Sequence, residues 1–285
     1  MIADPLPAAW RFDALGTPWR IDTEQPLPDA VRTAITERIA RFDAAWSRYR
    51  DDSLVARIAR QPGRHPLPAE AAQLLELYAE LYAATAGRVS PLVGGALAGA
   101  GFGPRLAGVP DAVPRWQDAL AWDGTHLDTA TRVLLDVGAA GKGLLVDLVS
   151  ALLADAGITR SVVDGSGDLR IRDVPMRIAL EHPSDPRKAV GVAELSEGAL
   201  SASAGNRRVV GTRHHVLDAV TGLPAREVIA TWAIARDDLT ADGAATALFF
   251  DVDPAWLARR GVEWVRMLHG GTLEASPGFP GEVFT

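Results

Sequence analysis

The stretch "DVGAAGKGLLVDLVSALLADAGI", residues 136–158, decides how the rest of the chain is read. Its opening is a turn of glycine and alanine carrying Asp136 and Lys142. From Leu144 onward apolar residues recur at three- and four-residue spacing, the period of a packed helix. The helix starts near Gly141 and closes at Gly157. Amides at a helix N-terminus with a lysine beside them make a ready anion site. A glycine-rich strand-to-helix turn with a solvated lysine is the competing reading. The stretch is not a nucleotide phosphate loop, because Gly143 follows Lys142 and Asp136 occupies the first glycine position.

On either side of this stretch the pattern changes to short strands. Upstream, "HLDTATRVLLDVG" (126–138) reads as a turn and a buried strand ending at Asp136. Downstream, "RSVVDGSGDLRIRD" (160–173) reads as a strand pair around a glycine turn, with Asp168 exposed or capping. It lacks the G-x-G-x-x-G spacing of a dinucleotide fingerprint. Further strands are expected at 176–183, 190–203, 214–225, 229–237 and 264–271. The chain opens on "WRFDALGTPWRID" (10–22), a strand interrupted at Gly16-Thr17-Pro18.

Helices are expected from Pro28 to Tyr49, with Asp29 as N-cap, and over 68–87, ended by Gly87. Residues 88–112, rich in Gly, Ala and Pro, read as a long functional loop with broken helix. A small helix is expected near Pro254–Arg260. Helices and strands do not alternate as βαβ units, so the fold class is α+β, with mixed and antiparallel sheets and packed helices. No long linker or repeat divides the chain, which reads as one unit over 1–285 with room for two lobes.

Composition excludes several functions. The 285 residues carry 29 Lys and Arg against 36 Asp and Glu, a net charge of -7. Nothing there forms a basic stripe for nucleic acid. Cysteine is absent, which removes disulfides, thiolate metal sites and cysteine nucleophiles. No run of about 18 apolar residues exists to span a membrane. The first residues do not have the form of a secretory signal, so a cytoplasmic location is expected.

Two further stretches carry candidate chemistry. "HHVLDAVTGLP" (214–224) places His215, a side chain suited to taking a proton near neutrality, on a strand with Val216 on the opposite face. A structural histidine pair is the alternative. "LTADGAATALFF" (239–250) places Asp242 and Thr246 one helical turn apart on one face. Carboxylate and hydroxyl oxygens suit Mg²⁺ or Ca²⁺. The alternative makes Asp242 a helix-start charge and Thr246 a core hydroxyl bonded to a carbonyl.

Taken in order, these stretches resemble the ApbE family, the FAD:protein FMN transferases. "LGT" (15–17), "WSRYRDDSLVARI" (46–58), "GRVSPLVG" (87–94), "DVGAAGKGLLVD", "VVDGSGDLRI", "SAGN" (203–206), "HHVLDAVTGLP" and "ADGAATALFF" are each similar to a family motif. Ser90 stands where the family has Asp, and Ala219 where it has Pro. The resemblance implies a T-fold-like architecture and an enzyme that binds FAD and Mg²⁺, or Ca²⁺ in its place. Such an enzyme moves FMN to a Thr or Ser hydroxyl of a target flavoprotein and releases AMP. A FAD pyrophosphatase and a non-catalytic FAD-binding protein are the alternatives. The resemblance further implies that Asp242, Thr246 and the Ala139 carbonyl hold the metal. It implies flavin-nucleotide contacts from Leu15, Tyr49, Ser90, Asp136, Lys142 and the main chain near Val216, with His215 as base.

Overall fold

The computed structural model describes residues 6–206, 209, 210 and 213–284. Strands β1 (Ala8–Ala14) and β2 (Thr17–Thr23) form a hairpin, followed by helices α1 (Asp29–Trp46) and α2 (Leu54–Arg60). Strand β3 (Gly63–Pro66) and helix α3 (Ala71–Ala84) lead to a 3₁₀ turn, Pro91–Val93, and to α4 (Gly94–Gly99) and α5 (Trp116–Ala119). Strands β4 (Leu120–Trp122) and β5 (His126–Thr129) precede α6 (Gly141–Asp155). Then come β6 (Ser161–Asp164), β7 (Asp168–Arg172), β8 (Met176–His182), β9 (Asp185–Leu195) and β10 (Gly198–Ala204). The short pair β11 (Val209–Val210) and β12 (Arg213–His214) is followed by β13 (Val228–Ala235), α7 (Asp238–Ala247) and α8 (Pro254–Arg259). Strands β14 (Glu263–Leu268), β15 (Leu273–Ala275) and β16 (Gly281–Val283) close the chain.

The centre is an eight-stranded sheet in the order β1-β2-β6-β7-β10-β13-β14-β15, with every pairing antiparallel. Strand alternation divides its side chains between two cores. Val163, Ala199, Ala233 and Ala235 face the helices, together with Ile35, Leu74, Leu145 and Ala244. Their neighbours Val162, Leu200, Trp232 and Ile234 face the other way, onto Met176, Ile178, Leu180 and Val190 of a smaller sheet ordered β16-β9-β8. The α+β class with antiparallel sheets is thus observed, as helix layer, large sheet and small sheet.

The registers bring one end of the large sheet together with the candidate residues. Arg20 pairs with Asp164, Ser201 with Asp168 and Ala204 with Ala230. The β1–β2 turn, the β6–β7 turn and the segment joining β10 to β13 therefore emerge at the same end. At the β1–β2 turn Leu15 (φ 51) and Gly16 (φ 73) are both left-handed, the geometry of a two-residue hairpin loop.

Several local expectations are corrected. Residues 133–135 are buried but form no strand. The Asp136 amide bonds to the Pro91 carbonyl, at 2.8 Å, and a strand needs a ladder partner. Of 214–225, only His214 lies in a strand, with a single bridge between Leu217 and Pro224. The Asp218 carboxylate accepts the Val220 and Thr221 amides and turns the chain instead. Pro28, not Asp29, is the N-cap of α1. Helix α3 ends before Gly87, and the first left-handed residue after it is Ala86, at φ 50.

Helices α6 and α7 cross at Gly143. A Cβ there would lie 2.2 Å from the Asp238 carbonyl oxygen and 2.7 Å from Asp242 Cβ. G143A is expected to cost about 1–3 kcal/mol by overpacking, or more if the backbones must part. Urea unfolding measures this, and wild-type stability in that variant would contradict the close crossing.

Candidate functional site

The α6–α7 crossing brings together two candidate motifs that are far apart in the chain. The Asp242 Oδ2 accepts the Gly143 amide at 2.9 Å, ninety-nine residues away in the chain. One turn on, Thr246 Oγ1 lies 3.4 Å from the Ala139 carbonyl oxygen. Asp242, Thr246 and the Ala139 carbonyl therefore share one wall, made of oxygen donors alone. Ala139 is held by Tyr78, whose hydroxyl accepts the Ala139 amide at 3.2 Å and faces the Asp136 carbonyl at 3.4 Å. Burial, and then the Asp136 charge, hold the Tyr78 phenol well above its ordinary pKa, so it stays neutral.

Lys142 projects from the first turn of α6 into the β6–β7 turn. Its Nζ lies 2.9 Å from Asp168 Oδ2 and donates to the Ser166 carbonyl at 3.1 Å. Ser166 is left-handed, at φ 65, and this aims its carbonyl at the lysine. Burial opposes the ammonium, but Asp168, Asp242 and Asp238 outweigh it and raise the Lys142 pKa. Asp168, expected to be exposed or capping, is 1% exposed. The correction has a simple cause: β7 is an interior strand, and helix α6 covers the start of it.

Behind Lys142 lies a buried acid set. Ser201 Oγ sits 2.7 Å from Asp238 Oδ1 and also faces Asp168. Burial raises Asp168 and lifts Asp238 well above the usual carboxyl range, with the Asp168 charge adding to the latter. Asp147, whose Oδ2 accepts the Leu239 amide at 2.8 Å, is pushed up to about 6, chiefly by burial.

The other candidates line the surrounding loops. The Asp136 carboxylate accepts from Arg48 and from the Gly138 amide. Ser90 is buried and caps the 3₁₀ turn by accepting the Leu92 amide at 3.2 Å. Tyr49 is exposed, and its hydroxyl accepts from Arg48 at 2.8 Å. His215 sets its ring 6.4 Å from that of Phe102, edge to face. Its neighbour His214 is committed to the backbone, with Nε2 2.6 Å from the Ala225 carbonyl and Nδ1 accepting the Val216 amide. Both main-chain groups of Val216 are engaged, since its carbonyl also accepts the Ala225 amide at 3.0 Å. Leu15 packs against the edge of the helix-side core. Among the described residues no three His, Cys, Asp or Glu side chains gather as a metal cluster. Arg48, Tyr78 and Asp168 are the residues that the sequence reading missed. Only Asp168 carried a signal, its place directly after a glycine turn.

The model of the ApbE family matches residues 15–265. The chain belongs to the ApbE family. It is 29% identical over 264 residues to the FAD:protein FMN transferase of Vibrio cholerae, covering 82% of this chain and 78% of that protein. It is 26% identical over 278 residues to the FAD:protein FMN transferase of Klebsiella pneumoniae, covering 86% and 79%. The solved structure of the ApbE protein of Thermotoga maritima matches with a TM-score of 0.81 at 26% identity, over 96% of this chain and 99% of that one. The flavin transferase ApbE of Vibrio cholerae shares the fold, with a TM-score of 0.81 at 24% identity over 95% and 97%. No helix among the described residues is long and apolar enough to cross a membrane.

The buried acids make a pH prediction. A carboxyl held near 6 when folded and near its ordinary value of about 3.9 when unfolded binds its proton more tightly in the fold. The stability contributed by this carboxyl is therefore fully present in acid and is lost as pH rises from about 4 to about 6. D147N is expected to flatten that fall in urea melts taken across the window. An unchanged slope would remove Asp147 as its source.

Proposed function

We propose that the chain is an Mg²⁺-dependent FAD:protein FMN transferase, acting on a Thr or Ser hydroxyl of a target flavoprotein. The observation that carries this reading is the oxygen wall of Asp242, Thr246 and Ala139 beside Lys142. Its donors are hard oxygens, and one carboxylate leaves room for phosphate and water ligands, which suits Mg²⁺ better than an all-protein cage. The family membership and the names of the relatives support the same activity.

In this reading Asp242, Thr246 and the Ala139 carbonyl hold Mg²⁺, with Ca²⁺ as a substitute. When bound, that ion neutralises charge on the diphosphate. Lys142 adds a positive charge, and Asp168 and Ser166 keep it in place. Tyr49, Asp136, Ser90, Leu15 and the chain around Val216 border the space for the flavin nucleotide. The acceptor hydroxyl attacks the FMN phosphorus, the bond to the AMP phosphate breaks, and AMP departs. His215 takes the hydroxyl proton. Little covalent chemistry is asked of the protein, as in other phosphoryl transfers, so positioning and charge supply most of the rate.

The test incubates the protein with FAD, Mg²⁺ and a flavoprotein domain bearing a Thr acceptor. Mass spectrometry is expected to show the acceptor gaining FMN, with one AMP released per label. AMP without an acceptor would instead assign a pyrophosphatase. Neither AMP nor label across several acceptors would defeat the enzyme reading. D242A is expected to lower Mg²⁺-dependent AMP release by about a hundredfold or more, with an unchanged circular dichroism spectrum. Full Mg²⁺ dependence in D242A would place the ion elsewhere.

A further inference from the structure

Arg48 takes no part in the chemistry described above, yet its side chain bonds to three groups that border the site. It follows the end of α1 and is 6% exposed. Its guanidinium serves three segments at once. Nε donates to the Asp136 carboxylate, one terminal nitrogen donates to the Phe102 carbonyl, and the other donates to the Tyr49 hydroxyl at 2.8 Å. The guanidinium carbon also lies 4.4 Å from the centroid of the Tyr49 ring. Those acceptors lie 1, 54 and 88 residues away in the chain.

Each segment leads to a different part of the proposed site. Asp136 Oδ1 also accepts the Gly138 amide at 2.8 Å, which sets the turn presenting the Ala139 carbonyl. Phe102 meets the His215 ring edge to face. Tyr49 is the exposed aromatic on the rim. The surroundings are cut to fit this arginine. A Cβ on Gly103 would lie 2.5 Å from Arg48 and 2.7 Å from the Tyr49 ring, and Gly103 has a φ of +109 that disfavours a side chain.

We infer that Arg48 is a positioning residue for flavin-nucleotide transfer, fixing the Ala139 turn, the Phe102–His215 contact and Tyr49 relative to one another. The inference rests on the function proposed above. Planar, divergent donors are what the role needs, because three acceptors in different directions must be met from one head group. A lysine supplies the charge without the fork. Arg48 meets no reacting atom; it acts through the groups that do.

The test compares R48K and R48M with wild type, using the full chain, FAD, Mg²⁺ and the acceptor domain. AMP release is read for KM and kcat, with FAD binding by fluorescence and thermal midpoints alongside. R48M is expected to raise KM for FAD about tenfold and to raise the Mg²⁺ concentration for half-maximal rate, with kcat changed less than about threefold. R48K is expected to recover the thermal midpoint but not KM. Wild-type KM and Mg²⁺ response in R48K would reduce Arg48 to a structural ion pair and overturn the inference. R48K decides the matter even if R48M fails to fold. A wild-type protein that neither binds nor cleaves FAD would defeat the functional reading itself, a result distinct from active variants with unchanged KM.

Discussion

The close crossing of α6 over α7 is the constraint on which the site depends. Gly143 has no side chain to hold the helices apart, so its amide reaches the Asp242 carboxylate. The same approach sets Thr246 against the Ala139 carbonyl. A larger residue at 143 would meet the Asp238 carbonyl before either contact formed. The alanines of α7 follow from the same need. Ala244 and Ala245 are fully buried, and Gly243 fits under Leu77 and Leu81 of α3. Small residues give up apolar area, and what they permit is a backbone-to-carboxylate contact between two helices.

Around that crossing the protein buries more acid than base. Asp168, Asp238 and Asp242 are all nearly inaccessible; Lys142 pairs with Asp168, and Arg170 lies 3.4 Å from Asp147. Burying charge is costly unless it is paired, and removing one partner of such a pair costs about 3–5 kcal/mol. The structure limits that cost in two ways. Lys142 pairs with Asp168, while burial drives Asp238 toward its neutral form. The result is a lysine held at one end of the sheet with its charge retained, where an anion can meet it.

Where a side-chain rhythm decided the local structure, the sequence reading and the structure agree. The apolar spacing of α1, α3, α6 and α7 marks each helix to within a few residues, and the glycine turn at 165–167 separates β6 from β7 as expected. Asp242, Thr246 and the Ala139 carbonyl lie along one wall, whereas Lys142 reaches into the β6–β7 turn, to Asp168 and Ser166. The misreadings share a different cause. Residues 133–136 have the composition of a buried strand but no strand beside them to pair with, and 214–225 are turned by one carboxylate accepting two amides. Asp168 looked like a solvated turn residue, because nothing local shows that α6 lies over it. Arg48 sits in a polar run, "SRYRDD", whose composition says exposure.

The sequence alone was enough for the fold class, for most helices and strands, and for the family to which the chain is similar. Those rest on periodicity and motif order, which neighbouring residues carry between them. Which carboxylates are buried, which cation each one meets, and that Arg48 joins three segments were decided only in three dimensions. Each depends on groups dozens of residues apart, and on a sheet register and a helix crossing that no local window contains.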